Sequence, residues 1–317
     1  MSTAKKILCF LLVLILTIGV LCGCSAEGTE SGSPAGSGSE EDTAALRDST
    51  PRILSAEPLG ETVEENEYAS IDLSSTGKGF ICVCYYPGEP GKLQLKKDDV
   101  VYTYDLSAAD GWQAFPLSLE DGEYTAVVYQ KVAGTQYVQV CSSTFSVVID
   151  DPYTPYLYPN KYVSFTDDPV FSALSRELAE ECYSDLDVIG HVYDYVVDTL
   201  TYDYDLAASA PVNYIPDLSE TLETKTGICF DYASLLAALL RSQGIPARVV
   251  VGYAGSEYHA WIGVFISEIG WVDDIIQFDG KQWTRMDPTY ASTYTGTKKS
   301  LSSYLSNSGN YQDMYFY

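Results

Sequence analysis

Gly227-Ile228-Cys229-Phe230-Asp231-Tyr232-Ala233-Ser234-Leu235-Leu236-Ala237-Ala238-Leu239-Leu240, closed by Gly244 and Pro246, is the stretch on which the reading of this chain turns. An Ala- and Leu-rich run with that stop signal predicts a buried helix, and the glycine ahead of it permits a sharp turn into the first residue. Cys229 then falls in the first helical turn. There the unpaired backbone N–H groups and the positive end of the helix dipole stabilise a thiolate. The same groups can receive an oxyanion, so the Cys229 amide is the first candidate donor.

On the C-terminal side, residues 247–253 (Ala-Arg-Val-Val-Val-Gly-Tyr) read as a strand and residues 260–267 as its antiparallel neighbour, after a turn at 255–258. His259 opens that second strand at its rim. Residues 282–286 make a third strand, and Asp287 stands before Pro288, whose ring pushes it toward extended backbone. A carboxylate held there is placed to accept the second imidazole N–H and set its tautomer. A thiol, an imidazole and a carboxylate in this order point to a Cys229-His259-Asp287 triad that works through a thioester.

On the N-terminal side, Asp168-Pro169 starts a helix with Val170, Leu174, Leu178 and Cys182 on one face. A second helix begins near Asp185, with Val188, Val192, Tyr195, Val196 and Leu200 at helical spacing. His191 rides on it and reads as a hydrogen-bonded or surface imidazole on a structural helix. Thr201-Tyr202-Asp203-Tyr204-Asp205 closes that helix. The segment from there to Thr221, with Pro211, Asn213 and Pro216, is predicted as a loop covering the cleft.

Between residues 52 and 150 the pattern changes to short period-two runs, at 79–86, 92–95, 100–106, 122–132 and 136–149, separated by Gly, Pro and Asp turn signals. About seven such strands predict a small β-sandwich of immunoglobulin-like size, a spacer beside the rest of the chain. Trp112 and the tyrosines read as strand packing, with a glycan- or partner-binding surface as the other reading. A bridge from Cys141 to Cys82 or Cys84 is one use of the remaining thiols, though four dispersed cysteines are no disulfide scaffold.

The chain opens with Lys5 and Lys6, an apolar run from Ile7 to Leu21, then Leu21-Cys22-Gly23-Cys24. That is a secretory signal, and the run is short for a membrane span. Its ending resembles the lipobox of bacterial lipoproteins, which implies lipidation of Cys24. The Gly-, Ser- and Glu-rich residues 24–51 read as a flexible tether. A net charge of −26 makes nucleic acid an unsuitable partner and suits solubility at a cell surface. The expected address is the extracellular face of the bacterial cell membrane.

Gly-Ile-Cys-Phe-Asp-Tyr-Ala at 227–233, Gly-Ile-Pro-Ala-Arg-Val at 244–249, His-Ala-Trp at 259–261 and Met-Asp-Pro-Thr-Tyr at 286–290 together resemble the transglutaminase-like superfamily of papain-fold thiol enzymes. The resemblance spans about residues 224–290. It implies an α+β fold, a papain-like core of helices on an antiparallel sheet behind the β-sandwich. It also implies Cys229 as nucleophile, His259 as base and then acid, and Asp287 as orienter. Papain-like enzymes take a second oxyanion donor from a side chain upstream of the nucleophile, which nominates Tyr202. The expected domains are a signal at 1–23, the tether at 24–51, the sandwich at 52–150 and the catalytic domain at 151–317.

The expected activity is attack on a protein or peptide amide carbonyl, with an amine acceptor meaning crosslinking and water meaning a peptidase or deamidase. Substrates would be proteins, peptides or cell-wall peptides. Trp261, Trp271 and Trp283 are candidates for a water-excluding wall, or for core. Asp273, Asp274 and Asp279, around Gly280, read as a solvated turn, and no metal or cofactor is expected. The alternative function is a non-catalytic peptide- or glycan-binding envelope lipoprotein.

Overall fold

Period-two patterning in the first half of the chain becomes eight strands in the computed structural model, which describes residues 45–272 and 275–317. They are β1 (Val63–Glu65), β2 (Ala69–Asp72), β3 (Phe80–Tyr85), β4 (Gly91–Lys97), β5 (Val100–Leu106), β6 (Trp112–Pro116), β7 (Gly122–Ala133) and β8 (Gln136–Val147). One antiparallel sheet runs β1-β2-β3-β6 and the other β5-β4-β7-β8. The chain changes sheet after β3, after β5 and after β6, the crossing pattern of a Greek-key sandwich. Alternation sends Ile81, Val83 and Tyr85 of one sheet and Leu93, Leu95, Tyr102, Tyr104 and Ala126 of the other into one buried core. Phe80, Cys82 and Ala114 face the other way, under Ala56 and Tyr158. The bridge from Cys141 to Cys82 or Cys84 is therefore not made. The period of two turns Cys82 away from the inter-sheet core that Cys141 joins, and Cys84, two residues on, shares the side of Cys82; all three are free thiols.

The second half starts with α1 (Pro169–Ala179), where the Asp168 carboxylate accepts the N–H groups of Val170 and Phe171. Its buried stripe is Phe171, Ser175 and Ala179, one residue on from the predicted face; Val170 is 71% exposed. α2 (Asp185–Thr199) carries a capping box between Ser184 and Asp187 and buries Val188, Val192 and Val196 as predicted. β9 (Thr201–Tyr202) follows. The segment read as loop contains two short helices, α3 (Tyr204–Ser209) and α4 (Leu218–Thr224), capped by Asp203 and Asp217, before β10 (Thr226–Gly227). Those caps are local side-chain contacts without an apolar repeat behind them, which is why periodicity does not show the helices.

α5 (Cys229–Ser242) is buried from Asp231 to Ser242, the condition of a helix apolar on all sides at the centre of a fold. Over it lies a sheet of order β15-β12-β11-β16, built from β11 (Ala247–Ala254), β12 (Glu257–Val264), β15 (Thr284–Met286) and β16 (Tyr311–Phe316). A separate hairpin, β13 (Ile269–Val272) with β14 (Ile276–Asp279), follows β12; α6 (Pro288–Thr293) and α7 (Lys298–Leu305) precede β16. Gly252 pairs with His259 across β11 and β12, and a Cβ on Gly252 would stand 2.0 Å from the Gln312 carbonyl oxygen. Only glycine lets β16 close in at that point.

The two halves share contacts. Ser118 donates to the Phe316 carbonyl at 2.6 Å, Phe316 N–H donates to the Tyr102 hydroxyl at 3.2 Å, and the Tyr102 ring meets Tyr315 at 5.2 Å. Arg241, fully buried near the end of α5, donates to the carbonyls of Ala247, Tyr158 and Tyr317 at 2.7, 2.7 and 2.8 Å. The last residues of the stretch read as tether also lie against this half: Arg47 N–H donates to Cys182 O at 2.8 Å and Gln243 to Ser49 O at 3.2 Å. Cys24 and the signal lie outside the described residues.

Candidate active site

Cys229 is the first residue of α5 and is half-buried, and its N–H lies in the turn with no intrahelical partner. Asp231, two residues on and 1% exposed, turns its carboxylate back to accept the Ile228 N–H at 2.8 Å. It also accepts the Tyr214 hydroxyl at 2.8 Å, which ties the segment between α3 and α4 to the head of α5. Burial raises the Asp231 carboxyl against the pull of these two donors. Gly227 is needed here for space, because a Cβ would stand 2.6 Å from that of Asp231.

His259 is the third residue of β12, near the hairpin turn, and its Nε2 lies 2.9 Å from Asp287 Oδ2. A carboxylate only accepts, so Nε2 carries the proton and donates. Burial alone would push this imidazole down. The Asp287 carboxylate, together with the Cys229 side chain that the ring also meets, outweighs burial and holds it up at about 10.

Asp287 is wholly buried and caps α6, accepting the Tyr290 N–H at 2.9 Å on Oδ1. Oδ2 takes a second donor beside His259, the hydroxyl of Tyr311 at 2.9 Å. The tail after Tyr290 therefore supplies a group to this site, which sequence reasoning missed. A lone tyrosine in an edge strand carries no local signal of such a contact. Asp231 and Tyr214 were likewise unassigned, although Asp231 lies inside the motif.

Tyr202 stands in β9, whose parallel pairing with β10 sets it opposite Gly227, two residues before Cys229. Burial and the nearby Cys229 raise its hydroxyl to about 12, so it remains a protonated donor at neutral pH. His191, on α2, faces the Leu178 carbonyl oxygen at 3.1 Å, a structural contact as expected of it.

Of the tryptophans read as a wall or as core, Trp261 falls to core. Trp261 is 1% exposed, two residues along β12 from His259, with ring centroids 6.0 Å apart: it is core behind the imidazole. Trp283 joins Arg248, Tyr156 and Phe265, at the other end of the β11–β12 pair from His259. The Trp271 side chain, Asp273 and Asp274 lie outside what the structure describes. Asp279 accepts the Lys281 N–H at 3.0 Å, a turn contact. Among the described residues no group of three His, Cys, Asp or Glu side chains is arranged to hold a metal.

Residues 172–288, which contain Tyr202, Cys229, Asp231, His259 and Asp287 but neither Tyr290 nor Tyr311, match the family model of the transglutaminase-like superfamily. The family likeness is that of this segment, a little over a third of the chain. The Bacillus subtilis protein YebA, described as uncharacterized, is 27% identical to this chain over 182 residues, 50% of the chain and 25% of YebA. A Pseudomonas aeruginosa protein-glutamine gamma-glutamyltransferase is 31% identical over 103 residues, 28% of this chain and 14% of that protein. The chain thus matches a quarter or less of the length of these relatives. Among solved structures, red sea bream transglutaminase aligns at a TM-score of 0.29 and 15% identity, covering 68% of this chain and 48% of that one. A Cytophaga hutchinsonii structure described as a candidate cysteine protease aligns at 0.33 and 15%, covering 68% and 81%. The family match over residues 172–288 and the Pseudomonas aeruginosa relative support a thiol enzyme of this class.

Proposed function

We propose that this protein is a thiol acyltransferase or hydrolase that attacks protein or peptide amide carbonyls through Cys229, His259 and Asp287. The observation that carries the reading is the His259 imidazole, bonded to Asp287 at 2.9 Å and meeting Cys229 at the head of α5. The Cys229 thiolate attacks the carbonyl carbon, and the oxyanion is received by the Cys229 N–H and the Tyr202 hydroxyl. The C–N bond breaks as His259 gives its proton to the departing nitrogen, which leaves as ammonia or amine with a thioester on Sγ. An incoming amine or water then passes a proton to His259, bonds the acyl carbon and expels Cys229 as thiolate.

The address is part of the same proposal: Cys24 lipidated, the chain held at the extracellular face of the bacterial cell membrane, the sandwich as spacer, and proteins, peptides or cell-wall peptides as substrates. Iodoacetamide at neutral pH tests the nucleophile. Cys229 should be alkylated faster than Cys82, Cys84, Cys141 or Cys182, and equal rates in the folded protein would sink the reading. A fluorescent primary amine offered with a glutamine-rich protein separates the acceptors. Incorporation lost in Cys229→Ala means transfer to amine, and fragmentation or ammonia release without incorporation means hydrolysis.

A further inference from the structure

We propose that the Tyr311 hydroxyl is a positioning group for His259, acting through Asp287 by holding the carboxylate in place and taking up part of the charge on the oxygen that faces the imidazole. The inference rests on the thiol-enzyme reading above and adds to it a residue outside the matched segment.

Tyr311 Oη and His259 Nε2 both donate to Asp287 Oδ2, each at 2.9 Å, while the Tyr290 N–H holds Oδ1 at 2.9 Å. Three donors on a carboxylate with no exposure fix its plane, and with it the plane of the imidazole. Burial by itself does not put a phenol on a carboxylate: the equally buried hydroxyls of Tyr85 and Tyr104 have no such partner. The Tyr311 ring is held between the Arg285 guanidinium at 4.3 Å and Trp261 at 4.9 Å, so the hydroxyl has little freedom. Its strand is held as well, by the close approach that Gly252 allows and by Tyr102 of the sandwich.

The positive end of the O–H dipole beside Oδ2 reduces the field that the carboxylate exerts on the imidazolium. His259 then yields its proton to a departing nitrogen more readily than it would beside an unshared carboxylate. The groups facing this pair are Cys229 from α5, Tyr290 from α6, Tyr304 from α7, Arg285 from β15 and Tyr311 from β16, with Asp313 paired to Arg285 at 3.6 Å. Of these, only Tyr311 puts a side-chain proton on Asp287.

The test follows the His259 imidazole signal by NMR across alkaline pH in the full chain and in Tyr311→Phe, which keeps the ring and its packing; His191 is the internal reference. Removal of the hydroxyl should move the His259 midpoint upward by roughly half to one pH unit. 3-Fluorotyrosine placed at 311 alone, a stronger donor of the same shape, should move it downward, and this readout stands if Tyr311→Phe does not fold. A His259 midpoint that is unmoved or lower in Tyr311→Phe, or unmoved by the fluorotyrosine, overturns the inference. Cys229→Ala is the separate control: it should lower the midpoint. A midpoint it leaves unchanged overturns the thiol-enzyme reading itself, whatever Tyr311 does.

Discussion

On α2, His191 presents Nδ1 to the Leu178 carbonyl oxygen at 3.1 Å and to Cys182 Sγ at 3.3 Å; in the sheet over α5, His259 meets Cys229 with Asp287 behind it. These are the two histidines of the chain, and each has a cysteine for a neighbour. Cys182 is buried, its thiol raised by desolvation, and its Sγ also faces the Leu178 carbonyl oxygen. The nearby Asp187 carboxylate is used in capping, accepting the N–H groups of Tyr183 and Ser184 at 2.9 Å. Cys229 is half-buried at a helix start, and the carboxylate behind its histidine is wholly buried and bonded to the ring. A cysteine beside a histidine is thus not in itself a reactive pair. The carboxylate, the helix terminus and solvent access make the difference.

The sharpest way to break this contrast is to remove each imidazole in turn. His259→Gln should reduce turnover by roughly 10²–10⁴-fold, the usual worth of a positioned acid-base group, while His191→Gln leaves it within about twofold. Equal losses, read as rates of amine incorporation or amide hydrolysis, would erase the distinction between the pairs. Asp287→Asn comes next. It keeps an oxygen to cap α6 but removes the charge, so turnover should fall about 10²-fold or more with the melting temperature lowered only modestly. Collapse of the fold instead would make Asp287 a structural residue first.

The third prediction concerns pH. With a folded value of about 10 against an ordinary value near 6.5, the His259–Asp287 pair contributes stability that is fully present below about pH 6.5 and is lost as pH rises through about 10. Melting curves should therefore slide downward over that window. His259→Gln should flatten this part of the profile and His191→Gln should not. The smallest effect is expected from Tyr214→Phe, which removes one donor from Asp231 beside Cys229 and costs about 1 kcal/mol. It should loosen the segment between α3 and α4, seen as faster amide exchange there, with the His191 region unchanged.

The legibility of this site follows from how local each signal is. Cys229 and Asp287 were readable because each position is set within a few residues: a glycine and an Ala/Leu helix for one, a proline for the other. The structure places them at N-terminal positions of α5 and α6. His259 was readable to within two residues, since the strand proved to begin at Glu257. The α1 face was misread by one position because Val170 and Leu174 follow the same repeat as Phe171 and Ser175, and periodicity does not say which stripe meets a neighbour. The Cys82, Cys84 and Cys141 question was open for the same reason: alternation is visible in the sequence, but the direction in which it points is not.

By itself the sequence determined the α+β class with a sheet-rich first half, the helices α1 and α2, the buried helix α5, and a cysteine, a histidine and an aspartate at element starts and edges. These depend on periods, caps and turn residues, which act over one or two turns of chain. Only the tertiary structure decided which face of each strand and helix is inside, that Trp261 backs the imidazole while Trp283 lies elsewhere, and that Tyr214 reaches Asp231 and Tyr311 reaches Asp287. Those contacts join residues 17 and 24 positions apart through a loop and an edge strand, where side-chain identity records no partner. Their pairing is set by β16 closing on Gly252 and by the sandwich that braces it, a matter of packing between elements that no local pattern encodes.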